Sequence, residues 1–457
     1  MNVIICGAGR VGKGIAARLA AEGNTVTVVD LSSELIRQIT TEYDVRGLVG
    51  HGAYPDMLSR AGAESAEMII AVTYSDEVNM MACQIAHSLF SVPTKVARVR
   101  AQNYLASEWN DLFSTDNMPI DVVISPEVEI GKSILRRLNT PGAFDVVPFA
   151  DGRVQLIGVR IDEETPIINT PLRQITDLFP GLHSVVVGIK RDGEIFAPTD
   201  EDSLIPGDEA YVITLAEHAS RLLEIIGDTS QKARQIVIIG GGSIGAYVAG
   251  ELEKHSGVRV RVIERSKARA EEAAESLRKT VILNGDGMDA SIQEEAGVAN
   301  AELVICLTDD DKTNLLSAVL AKKTGARRTV VLVNEASMQG VRLELGIDLV
   351  IDPRATTVSS ILRHMRRGRI LDVCSIEEGR AEVMEGEVLE TSPLAGKTLE
   401  NVDLGEGIAI GAVIHDGRVL FPTPALVVKP GDRLVLLAER KALKSVEQLF
   451  RVSMDYF

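Results

Sequence analysis

A chain of 457 residues that is 45% hydrophobic but only 4% aromatic has material for several cores built from valine, isoleucine, leucine and alanine. That composition suits parallel strands covered by helices on both faces. With 48 basic against 65 acidic residues the net charge is −17, which argues against nucleic acid as a main partner, since neutralising phosphates takes clustered lysine and arginine.

No apolar run approaches the roughly 18 residues that span a bilayer, and a strand so near Met1 leaves no expected signal peptide. Cys6, Cys83, Cys306 and Cys374 are far apart and form no CxxC. They read as reduced core residues of a cytosolic protein, not as a zinc or disulfide framework.

The apolar run Val3–Cys6 predicts the first strand. Gly7-Ala8-Gly9-Arg10-Val11-Gly12 then turns into a helix with Ile15, Ala16, Leu19 and Ala20 at helical spacing. The next strand, 26–29, closes on Asp30. Further strands are predicted at 45–49, 68–72, 95–99 and 121–124, with an amphipathic helix over 79–89. Such alternation calls for a doubly wound parallel sheet. A glycine turn between strand and helix lets backbone approach a pyrophosphate, whose charge meets free N–H groups and the helix dipole. Asp30 is placed to bond both ribose hydroxyls of an adenosine, and a carboxylate there repels a 2′-phosphate, favouring NAD over NADP. Alone a glycine turn is a weak signal; here strand, helix and acid accompany it.

The same constellation then recurs. Gly240-Gly241-Gly242-Ser243-Ile244-Gly245 follows Ile236–Ile239, and Glu264 closes 260–263. Gly50-His51-Gly52 matches Gly285-Asp286-Gly287, Ala61-Gly62 matches Ala296-Gly297, 69–73 matches 304–308, and Asn79 matches Asn314, all at one constant offset. The segments that follow also repeat: Asp192-Gly193, Pro198-Thr199 and Pro206-Gly207-Asp208 return as Asp416-Gly417, Pro422-Thr423 and Pro430-Gly431-Asp432. Asp-Gly between β-rich runs predicts a hairpin, and Pro-Gly-Asp the start of a last strand, 210–214 or 433–437. The expected organisation is α/β: Rossmann-like doubly wound domains at 1–124 and 234–352, each followed by a small α+β domain, at 140–226 and 370–457. A polar joint falls near 227–235.

The copies differ at the far end of the cleft. Thr73-Tyr74-Ser75-Asp76 in the first stands against Thr308-Asp309-Asp310-Asp311 in the second, and Arg98 and Arg100 against Leu332 and Asn334. A cationic mouth suits a full dinucleotide. The three aspartates read as helix capping and exposed surface, with a bridging cation as the alternative, and Arg98 as phosphate contact or structural ion pair. None of the seven histidines recurs in the repeat, and the counterpart of His51 is Asp286, so no general base is apparent. No catalytic or metal-ligating residues are assigned. The basic run 363–369 reads as a helix end favoured by the dipole, or as a docking patch on an acidic protein.

Two nucleotide domains, each trailed by a module with D-G, P-T and P-G-D, resemble the regulatory subunits of Trk potassium uptake, the TrkA family of tandem RCK domains (regulators of potassium conductance). The likeness covers essentially the whole chain. It rests on 7–11, Asp30, 61–63, 71–73, Asn79, 97–100 and their second-copy counterparts. The resemblance implies a non-catalytic cytoplasmic protein, peripheral at the inner face of the membrane through a potassium-translocating subunit. It implies four chains forming a ring of eight nucleotide domains, reshaped by NAD(H) and ATP or ADP. Binding positions carry over to Gly7, Ala8, Gly9, Arg10, Val11, Asp30, Thr73, Tyr74 and Arg98. They extend to Gly240, Gly241, Gly242, Ser243, Ile244, Glu264 and Thr308, although Leu332 departs from the dinucleotide pattern. An NAD-dependent oxidoreductase and a potassium-efflux regulator are the competing readings.

Overall fold

The computed structural model describes residues 1–457 except 106, 180, 228–232, 336–337, 339–343, 364–369 and 451–457. The basic run expected at 363–369 therefore lies outside the described residues beyond Arg363.

The chain falls into two compact units, and like pairs with like: Met1–Lys132 with Arg234–His364, and Ser133–Ala233 with Met365–Phe457. The first unit holds both copies of the glycine turn. In copy one the order is β1 (Asn2–Cys6), α1 (Arg10–Ala21), β2 (Thr25–Asp30), α2 (Ser33–Glu42), β3 (Arg46–Val49), α3 (Pro55–Ala61), β4 (Met68–Ala71), α4 (Asp76–Phe90), β5 (Thr94–Arg98), β6 (Val122–Ile124) and α5 (Pro126–Asn139). The strands form a parallel sheet in the order β3-β2-β1-β4-β5-β6. Because helices cover both faces, the central strands are buried along nearly their whole length, as in Ile4, Ile5, Ile69 and Ile70. Helix α4 begins three residues before the expected 79, since the Ser75 hydroxyl accepts from Val78 N and caps it. Helix α5 occupies the stretch of chain between the expected domain limits 124 and 140.

In the small module that follows come β7 (Asp145–Phe149), β8 (Val154–Arg160), α6 (Leu172–Leu178), β9 (Ser184–Arg191), β10 (Glu194–Phe196), β11 (Glu209–Leu215) and α7 (Ala219–Ile226). Copy two then runs β12 (Gln235–Ile239), α8 (Ser243–Leu252), β13 (Arg259–Glu264), α9 (Lys267–Ser276), β14 (Val281–Asn284), α10 (Ala290–Glu295), β15 (Leu303–Cys306), α11 (Asp311–Thr324), β16 (Arg328–Leu332), β17 (Leu349–Ile351) and α12 (Pro353–Arg363). Its sheet order, β14-β13-β12-β15-β16-β17, repeats the first. Within this unit each copy's last helix lies on the other copy's first. Helix α12 packs on α1, and α5 meets α8 where Gly131 faces the Tyr247 ring.

The second unit adds β18 (Ile370–Ile376), β19 (Ala381–Glu387), β20 (Ile408–His415), β21 (Arg418–Leu420), β22 (Arg433–Glu439) and α13 (Leu443–Leu449). Its antiparallel sheets, β10-β9-β11-β8-β7 and β18-β19-β22-β20-β21, share a core in which Phe149, Val187 and Ile213 meet Val383, Ala412 and Leu437. Both Asp-Gly pairs form the predicted hairpins, with Asp192, Gly193, Asp416 and Gly417 all at positive φ. The aspartate of each Pro-Gly-Asp is buried: Asp208 takes a two-pronged bond from Arg191, and Asp432 bonds His415.

Candidate nucleotide clefts

The two turns share their construction. Gly7 has φ +113°, and a Cβ on it would lie 2.9 Å from the Val72 carbonyl carbon and oxygen; one on Gly12 would lie 1.8 Å from the Gly7 carbonyl oxygen. The helix can therefore press on the strand only because both residues are glycine. Gly240 (φ +108°) and Gly245 repeat this, the latter 1.9 Å from Gly240 O. The N-caps of α1 and α8 are Gly9 and Gly242, which have no side chain to occupy the free N–H groups. Helices α2, α4, α9 and α11 of the same domains are capped by Ser32, Ser75, Ser266 and Asp310. Two uncapped helix starts at the carboxyl ends of parallel strands are sites where anionic ligands are stabilised.

Behind each turn stands its acid. Asp30 accepts from Ala8 N (2.7 Å) and Ser32 N (2.8 Å), and Glu264 from Gly241 N and Ser266 N, both at 2.7 Å. The acids thus lock the turn before any ribose reaches them. Glutamate is one methylene longer, and the structure makes room for it: a Cβ on Gly241 would lie 3.0 Å from Glu264 Cβ and 3.3 Å from its Cγ. Ala8 with Asp30, and Gly241 with Glu264, are matched pairs.

The repeated asparagines are buried clamps. Asn79 Oδ1 accepts from Thr73 N (2.8 Å) and Thr73 Oγ1 (2.7 Å), while Nδ2 donates to Thr73 O (3.2 Å) and Arg98 O (2.9 Å). Asn314 ties Thr308 to Leu332 in the same way. These bonds fix the ends of the fourth and fifth strands of each sheet, from which the far wall of each cleft is made.

One cavity of about 970 Å³ runs across both turns; its half at the first turn is the first cleft and its half at the second turn the second. Of the expected site residues it is lined by Gly7, Gly9, Arg10, Val11, Asp30, Thr73, Tyr74 and Arg98 of copy one, and by Gly242, Ser243, Ile244 and Thr308 of copy two. Ala8, Gly240, Gly241 and Glu264 lie beneath the surface and are buried. Leu31, Leu35 and His51 add an apolar and aromatic wall near Asp30, with His51 stacked on Tyr54 at 4.3 Å.

The two arginines of the first mouth have separate fates. Arg100 lies over the Tyr74 ring at 4.3 Å, donates to Tyr74 O, and sits 3.7 Å from buried Asp76. Arg98 is half-buried, and its Nε has no hydrogen-bond partner among the described residues. Glu127 on α5, which also lines the cleft, has a buried Oε2 in the same condition. Burial lowers the Arg98 pKa and raises that of Glu127, each opposed by the other's charge. Arg98 lines the cleft beside the glycine turn and carries the charge that a ligand phosphate needs.

The three aspartates of copy two diverge. Asp310 caps α11 through Thr313 N (2.7 Å), and burial-bound Asp311 accepts from Asn334 N and Glu335 N. Only Asp309 faces the cleft, 3.8 Å from Arg269. No group of three or more His, Cys, Asp or Glu that could hold a metal ion occurs among the described residues. Sequence reading passed over Arg269, Glu127 and Leu35. Aligning the repeats would have flagged Arg269, which occupies the place of Leu35.

Among the described residues no helix is long and apolar enough to cross a membrane. The TrkA-N domain model matches residues 3–126 and 236–353, and the TrkA-C domain model 156–227 and 383–451. A Trk system potassium uptake protein TrkA from Azorhizobium caulinodans is 51% identical over the full length of both chains. One of the same name from Halomonas elongata is 36% identical, again over all of both. Among solved structures, the GsuK channel bound to NAD is similar in fold, with a TM-score of 0.61 and 20% identity over 98% of this chain and 78% of that one. With both domain types matched twice and full-length relatives at this identity, the chain belongs to the TrkA family.

Proposed function

We propose that this protein is the nucleotide-binding regulatory subunit of a potassium-uptake system, without catalytic activity of its own. NAD(H) occupies the first cleft and an adenine nucleotide, ATP or ADP, the second. Gly7–Val11, Asp30, Thr73, Tyr74 and Arg98 hold the first ligand; Gly240–Ile244, Glu264 and Thr308 hold the second. The observation that carries the reading is the pair of uncapped, glycine-started helices opening on one cleft, in a chain whose full-length relatives are named for potassium uptake.

A bound nucleotide would act through the joint between the copies. Because α12 lies on α1 and α5 on α8, a ligand touching the start of either glycine-turn helix also meets an element carrying the other copy. Ligands shift such an equilibrium only by their differential affinity for its states. A dinucleotide and a mononucleotide share the adenosine subsite but load the far wall differently, so each favours a different angle between domains. A homotetramer would assemble eight such domains into a ring at the cytoplasmic side of the membrane subunit.

The test is a pull-down from detergent-solubilised membranes, with and without NADH or ATP. Recovery of a potassium-translocating subunit supports the reading. Sustained oxidation of NADH by the pure protein with candidate acceptors overturns it in favour of an oxidoreductase.

A further inference from the structure

We propose that Arg269 reads the terminal phosphate of the second cleft's ligand and gives that cleft its preference for ADP or ATP over NAD(H). This rests on the reading of the second cleft as a nucleotide site. At two matched positions of the cleft the copies exchange cation and leucine; the first also has Arg10 at its turn where the second has Ser243, so among the lining residues Arg269 is the cation on the second copy's turn side. In the first, Arg98 stands at the end of β5 on the far wall, and the near wall at Leu35 is apolar. In the second, Leu332 replaces the far cation, and Arg269 on α9 stands where Leu35 does.

The placement of Arg269 is close to the turn itself. Its Nη1 lies 3.8 Å from where a Cβ on Gly242 would be, at van der Waals distance from the N-cap of α8. A ligand lying along the turn puts its phosphates there, on the free N–H groups. A short nucleotide ending in phosphate reaches a cation at the turn; a dinucleotide instead carries its second half onward to the far wall. There the second cleft offers Leu332 and Asn334 where the first has Arg98 and Arg100.

Asp309 is the counter-ion. At 3.8 Å from Arg269 and with 95% of its side chain exposed, it is outside hydrogen-bond distance and screened by solvent. A phosphate offers the guanidinium a two-pronged, charge-assisted bond and displaces it. Asp309 therefore tunes the site: its charge opposes the incoming anion.

The experiment titrates the full chain with ADP, ATP and NADH by calorimetry, in an Asp30→Ala background that silences the first cleft. Arg269→Leu, which gives the second cleft the first copy's residue at this position, is expected to weaken ADP and ATP by about tenfold or more and to leave NADH nearly unchanged. Arg269→Lys should recover part of the loss, and Asp309→Asn should tighten ADP and ATP several-fold. Thermal melts of each variant separate misfolding from lost contact. If Glu264→Ala abolishes ADP binding while Arg269→Leu leaves it within about twofold, Arg269 has no such role and the nucleotide reading stands. If no nucleotide binds in the Asp30→Ala background, both fall.

Discussion

Asn79 is the residue on which the first cleft's far wall depends, and its removal has a calculable cost. The side chain is fully buried and makes four hydrogen bonds, two of them to main-chain groups of Thr73 and one to Arg98 O. Asn79→Ala removes the partner of Thr73 N and of Arg98 O together, and a methyl group fills little of the space. An orphaned buried polar group costs about 1–3 kcal/mol. Two such groups, discounted for water entering the hole, give about 2–4 kcal/mol for this domain. Urea unfolding, followed by fluorescence and by hydrogen exchange at β4 and β5, measures it as a shift of the transition that belongs to the first domain. NADH affinity should fall in the same variant, since Thr73 and Arg98 both line the cleft. Asn79→Asp supplies a sharper check: it replaces Nδ2 with an oxygen facing two carbonyls. That carboxyl is stabilised protonated, so its folded-state pKa lies above its unfolded one. Its stability is therefore present at acid pH and lost as pH rises through the folded value. A loss under about 1 kcal/mol for alanine, or an aspartate variant most stable at neutral pH, refutes the clamp.

The matched pairs at the turns predict an asymmetry. Gly241→Ala should lower stability of the second domain, and adding Glu264→Asp should restore it, whereas Ala8→Gly alone is nearly neutral; additive effects in the double-mutant cycle would deny the coupling. Gly12→Ala drives a methyl into Gly7 O and should abolish nucleotide binding in the first cleft, while Gly9→Ala, whose Cβ meets nothing within 4 Å, should leave a folded domain with obstructed binding. Asp30→Ala loses two main-chain bonds as well as any ribose contact, so both melting temperature and NADH affinity should drop; unchanged affinity in calorimetry counts against the site. The thiols of Cys6, Cys83 and Cys306 are held up in pKa by burial, Cys6 to about 12, so these three should react with a thiol reagent only at the unfolding rate.

The amino-acid order alone determined the strands of the first domain and the repeat. Every strand read in the first domain lies within a residue of its place, from 3–6 to 121–124, because buried parallel strands are unbroken apolar runs and the glycine turn punctuates them. It also determined the hairpins, since Asp-Gly at positive φ is local chemistry. It did not disclose that domains alike in sequence pair in space, leaving each order of the chain interleaved. Nor did it show that Asn79 is a clamp, that Asp309 alone of three aspartates faces the cleft, or that Arg269 and Glu127 line it. Those facts depend on which side chains the fold brings within a few ångströms, from six positions apart for Asn79 and Thr73 to over a hundred for Glu127 and the second turn, and local periodicity carries no record of that.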